Sequence, residues 1–203
     1  MLAHWQNDVS NNPVISNFST TWTVLDARSN YDSQLIFIYN ALHSDDLDVL
    51  ILPVLQYGAT PAGGGEYWSI LSCFLVGEYT YYSSPVPVSS GTLLTGMMIM
   101  TDFYNDHDTE TTTYYWNLMF LGYPDIALNI LTTKELTNAL EVVEARRITG
   151  DSDLPTETTK TKSIYLQTGS YCPSLSWSDT TAIVQVVIDG SINGQVDMPY
   201  PTL

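Results

Sequence analysis

Apolar residues in this chain fall into short runs separated by polar turns, and most runs are rich in β-branched and aromatic residues. The pattern predicts strands at Trp22–Leu25, Gln34–Leu42 (QLIFIYNAL), Leu47–Gly58 (LDVLILPVLQYG), Glu66–Val76 (EYWSILSCFLV), Thr92–Met100 and Thr112–Leu121. It continues through Ile126–Thr132, Ser163–Thr168, Ala182–Asp189 and Gly194–Met198. Tyr79–Ser83 with Pro85 and Pro87 reads as an edge or turn, because proline cannot donate to a sheet ladder. Residues 1–20 are polar and read as a leading arm, 59–65 (ATPAGGG) as a flexible connection, and 101–111 and 146–162 as solvated loops. Many short strands at near-regular spacing predict an all-β chain, a β-sandwich in a single domain spanning 1–203.

The stretch 47–58 is the most informative. At period two, Leu50, Leu52, Val54 and Gln56 share one face and Val49, Ile51, Pro53, Leu55 and Tyr57 share the other. With both rows apolar the strand should be covered on both sides, so the Gln56 amide needs partners or a place at the edge of a cavity. Leu136–Glu144 (LTNALEVVE) has the same construction, with Leu140, Val142 and Glu144 in one row. Periodicity alone, however, favours a helix over 134–148, where Leu136, Ala139, Leu140 and Val143 stand at helical spacing among strong helix formers. If the segment is a strand beside the first, Gln56 and Glu144 form an amide–carboxylate pair facing one pocket.

Charge narrows the partners. Six basic against 22 acidic residues give a net charge of −16, which repels phosphate backbones and anionic membrane surfaces, so neither nucleic acid nor membrane is expected. The same balance suits an acid medium, where protonation relieves self-repulsion, and equally suits a plain soluble acidic surface. No apolar run reaches the roughly 18 residues of a membrane span. The N-terminus does not read as a signal sequence; secretion would require a leader already removed, and the cytoplasm is the other compartment the sequence allows. Cys73 and Cys172 can be a disulfide or two free thiols, and Asn17-Phe18-Ser19 is an N-glycosylation acceptor.

The run ending Leu55-Gln56-Tyr57-Gly58 resembles the Leu-Gln-x-Gly signature of the fungal glutamic peptidases, or eqolisins. Thr137-Asn138-Ala139 followed by Val142-Val143-Glu144 is similar to the segment that ends in that family's catalytic glutamate. The resemblance implies a sandwich of two curved antiparallel sheets, a strand rather than a helix at 136–144, and a catalytic pair at Gln56 and Glu144. Glu66-Tyr67-Trp68 resembles the family's Asp-x-Trp, which implies that Glu66 and Trp68 line the cleft beside Tyr57. The chain departs from the pattern at Ile70, where the family is acidic, and at Phe37–Ala41, where it carries a tryptophan and a Gly-x-Asp-Gly stretch; its cysteines do not match either.

Two functions follow. In one, Glu144 acts as general acid/base in acid solution and the Gln56 amide donates to the oxyanion, cleaving peptide bonds without metal or cofactor. In the other, the same concave face is a non-catalytic, lectin-like module that holds a glycan with Trp68 and the tyrosines Tyr79, Tyr81 and Tyr82. Other constellations read as structure. Asp106-His107-Asp108 with Glu110 is a solvated turn, Asp45, Asp46 and Asp48 lack the rest of a calcium loop, and Cys73 reads as packing. His4, His43 and His107, with no Gly-x-Ser-x-Gly elbow, give no serine triad or zinc hydrolase.

Overall fold

A computed structural model describes residues 1–6, 14–26, 31–174, 176–179 and 184–200. The apolar runs become strands β1 (Leu2–Gln6), β2 (Ile15–Thr23), β3 (Leu35–His43), β4 (Val49–Thr60), β5 (Gly63–Val76), β6 (Tyr79–Tyr82), β7 (Val86–Pro87) and β8 (Leu93–Asp106). They continue as β9 (Thr111–Phe120), β10 (Tyr123–Thr132), β11 (Asn138–Arg146), β12 (Thr159–Thr168), β13 (Ser178–Asp179), β14 (Gln185–Ile188) and β15 (Ile192–Met198), with one 3-10 turn at Asp151–Asp153. One sheet runs β13-β1-β11-β3-β4-β5-β6, with β7 also on β5, and the other runs β10-β9-β8-β2-β12-β15-β14. Every pairing is antiparallel. The molecule is therefore a β-sandwich of two curved antiparallel sheets.

The inner faces meet over Ile38, Ile51, Leu55, Trp22, Met98, Trp116 and Phe120, all buried, with the Trp22 and Phe120 rings edge to face at 5.8 Å. At Gly96 a Cβ would stand 2.8 Å from Asn40 Oδ1, Pro53 and Trp22, so the sheets approach too closely there for any side chain. A polar group sits in this core: Glu141 is fully buried and accepts a short hydrogen bond from Thr20 Oγ1.

Four local expectations are corrected. The polar start is not an arm, because Leu2–Gln6 adds to β11 and Ile15–Thr23 lies between β8 and β12 in the other sheet. Polar side chains alternate along β2 with the buried Ile15, Phe18, Thr20 and Trp22, which hides its strand character. Residues 59–65 are no loop: β4 runs to Thr60, β5 starts at Gly63, and Pro61-Ala62 makes a tight hairpin. Residues 101–111 are mostly a long hairpin of β8 and β9. The 134–148 segment forms no helix, since pairing with β1 and β3 satisfies both backbone edges of β11 and turns Ala139 and Val143 inward. Ala182 and Ile183 of one expected strand lie outside the described residues.

Candidate functional site

The outer, concave face of the first sheet is built from the second apolar row of each central strand. Register sets Leu52 opposite Cys73, Val54 opposite Leu71, Tyr39 opposite Val54 and Val142 opposite Tyr39. Ala41, Leu52, Val54 and Leu71 form an apolar cluster of their own, with Phe37, Tyr39, Ala62 and Leu140 packed around it. Over this floor lies an open trough of about 520 Å³. The expected cover on this side of β4 is therefore partial: the sheet's curvature and the hairpin tip at Pro61-Ala62 shield the row without filling it.

Gln56 lies at one end of the floor and is 2% exposed. Its Nε2 donates to the carbonyls of Gly58 and Gly63, each at 2.9 Å, and its Oε1 accepts from Thr60 Oγ1 at 3.2 Å. Both amide hydrogens are thus committed to folding the β4–β5 hairpin tip back over the trough. Glycine is required beside it: at Gly64, φ is +96° and a Cβ would meet Gln56 Nε2 at 2.4 Å.

Glu144 also faces the trough, on β11. It is paired with Phe37, and Phe37 with Gln56, so the three side chains form one row across three strands. With β3 between them, the backbones carrying Gln56 and Glu144 stand roughly 10 Å apart. The two strands flank β3 instead of adjoining, and no hydrogen bond joins the amide to the carboxylate. Glu144 Oε1 accepts from Arg146 Nε at 2.6 Å, and that guanidinium lies 5.9 Å from the Phe37 ring centroid. Burial, and then the Glu144 charge, push the Tyr39 hydroxyl up to about 12; burial pushes the Cys73 thiol on the floor to about 12 as well.

The other expected site residues are elsewhere. Tyr57 and Trp68 are opposite each other, facing the inter-sheet core, with ring centroids 5.3 Å apart and exposures of 1% and 2%. The trough side of that pair of strands is taken by Gln56 and Ser69, which is why the tryptophan cannot line it. Glu66 is exposed at the end of β5, and its charge, after burial, raises the Tyr57 hydroxyl. Ile70 is fully buried on the same inward row as Trp68. Of the exposed tyrosines only Tyr82 reaches the trough, where its hydroxyl donates to the Pro61 carbonyl at 3.3 Å; Tyr81 stacks on Phe74 instead. The Asp106–Glu110 group is an exposed hairpin turn, Asp45 accepts from Thr137 and Asn138, and both cysteines are free.

The sequence reading missed Arg146, Arg147 and Thr60. The arginines follow Glu144 after one residue, Ala145, and that place at and just beyond the end of an apolar strand was the available signal.

Architecture and trough together define a β-sandwich of two curved antiparallel sheets with an open trough on the outer face of one of them. The chain matches no family model and no curated protein sequence. Among solved structures it is similar to scytalido-glutamic peptidase with a peptide based transition state analog (TM-score 0.56, 9% identity, 98% of this chain and 97% of that one). A second structure of scytalido-glutamic peptidase, with a transition state analog inhibitor, gives TM-score 0.56 at 11% identity over the same shares. SCP-B, a member of the eqolisin family in a complex with the tripeptide Ala-Ile-His, gives TM-score 0.54 at 11% identity, over 98% of this chain and 96% of that one. At such identities the likeness carries the fold, and the roles of individual residues rest on geometry.

Proposed function

We propose that the concave face of the first sheet is a binding trough for an apolar ligand and that this chain holds its ligand without cutting it. The observation that carries this reading is the state of the Gln56 amide, whose two hydrogens both bond the hairpin backbone while Phe37 stands between it and Glu144. An oxyanion donor must present an N–H to the reacting carbonyl, and this one has none left. Glu144 Oε1 is occupied by the Arg146 guanidinium, so one of its two oxygens is turned to a neighbouring side chain and not to a substrate. A glycan is a poorer occupant, because Trp68 is buried in the core and the floor is aliphatic.

The test is binding of a neutral solvatochromic dye to the purified protein, competed by dodecanol and abolished by Cys73→Trp, which fills the trough from its floor. A dye that stays in water, or binding that survives Cys73→Trp, removes this reading. The peptidase remains the second reading, favoured by the shared row of Gln56 and Glu144 in a fold similar to that of peptidases. It requires cleavage of casein between about pH 2 and 4, lost in Glu144→Gln.

A further inference from the structure

The trough has a chemical direction, and this inference rests on reading it as a binding face. The strands beneath it are interior to the sheet, so their backbone donors and acceptors are spent in ladders and offer nothing to a ligand lying across them. Along the middle the side chains are Leu52, Val54, Leu71 and Cys73, with the Tyr39 hydroxyl as the polar exception. A peptide laid there would bury its amides without partners, at a cost an alkyl chain does not meet.

One end is different. The charged residues lining the trough are Glu144, Arg146 and Arg147, a local balance of +1 in a chain whose total is −16. Arg146 spends its Nε on Glu144, whereas Arg147 takes part in neither ion pair found among the described residues. Its backbone turns left-handed, φ 58°, immediately after β11 ends, which carries the chain off the sheet at this end of the trough. A cation without a fixed counterion, at the mouth of an apolar trough in a strongly acidic protein, is the complement of an anionic head on an apolar tail.

We propose that the trough takes a single-chain amphiphile, a long-chain fatty carboxylate, with its head on Arg147 and Arg146 and its alkyl chain over Val54, Leu71, Leu52 and Cys73. The volume of about 520 Å³ is within the range of small-molecule sites.

The experiment compares dodecanoate with dodecanol on the full chain at neutral pH and low salt, by titration calorimetry. The carboxylate should bind about tenfold or more tightly than the alcohol, and Arg147→Gln should erase that advantage while leaving the alcohol unchanged. Cys73→Trp should remove both ligands, with far-ultraviolet circular dichroism reporting that the variant is folded. Equal binding of acid and alcohol, or an advantage that survives both Arg147→Gln and Arg146→Gln, overturns the head-group assignment and leaves the binding face standing. Failure of both ligands to bind overturns the binding face itself. An apolar peptide that displaces dodecanoate and binds more tightly overturns the ligand class.

Discussion

Strand β11 carries two glutamates three residues apart, and because side chains alternate they serve opposite faces of one sheet. Glu144 looks out over the trough, half-exposed and ion-paired with Arg146. Glu141 looks into the sandwich with no exposed surface and one partner, Thr20. Its Oε2 is left without a partner, as is Oδ1 of its cross-strand neighbour Asn40, whose Nδ2 donates to the Gly96 carbonyl. Burial drives the Glu141 carboxyl well above the usual carboxylate range, with the hydrogen bond from Thr20 opposing it and no charged group acting to lower it. The same residue type on the same strand thus meets a desolvating core on one face and an arginine at the edge of solvent on the other. Environment, more than identity, sets what each can do.

The largest effect expected from this contrast is on stability against pH. The folded state keeps the Glu141 proton after the unfolded chain has released it, so the unfolded state binds fewer protons above its own carboxyl pKa. Stability from this group is present in full below that value and is lost as pH rises towards the raised folded value, at up to about 1.4 kcal/mol per pH unit. Glu141→Gln should remove this slope, making the variant relatively more stable at neutral than at acid pH in urea unfolding; parallel curves for the two proteins would refute the neutral acid. The difference between proteins is the quantity to measure, because the depressed carboxyls of Asp45, held by Thr137 and Asn138, and of Asp153, held by Thr149, act in the opposite sense as pH falls.

Next in size is Thr20→Val, which keeps the shape and removes the donor to Glu141; a loss of about 1–3 kcal/mol is expected, the cost of a buried group left unpaired. Gln56→Ala unfastens the hairpin tip, with a loss of about 1–2 kcal/mol and faster proteolysis at 59–65; protection unchanged at that tip would show that the amide does not hold it. Glu144→Gln is the smallest: it removes one partly exposed ion pair, and denaturation should move by less than about 0.5 kcal/mol. A larger loss would make Glu144 part of the fold's support and close the gap between the two glutamates.

Much of this was legible in the chain. Period-two apolar rows on 47–58 gave the floor of the trough and placed Gln56 in it, and the Leu140, Val142 and Glu144 row is the one observed. What periodicity does not contain is which strands adjoin. β3 enters between β4 and β11 through pairing far apart in sequence, so the separation of Gln56 from Glu144 by Phe37 could not be read locally. Glu141 was hidden for a related reason: LEVVE fits a helix face as well as a strand, and only pairing with β1 and β3 turns that carboxyl into the core. The three glycines at 63–65 suggested slack, whereas two of them adopt positive φ to bring the strand end against Gln56.

The wall over the trough is a strand end folded back on itself and buttoned by one amide, with Tyr82 reaching its tip from the edge strand. Its height is therefore a property of hairpin length alone. Lengthening or shortening the segment between Thr60 and Gly63 would change the room over the trough while every residue of the floor and both arginines stayed in place, so the trough's size and its charge are set by separate stretches of the chain.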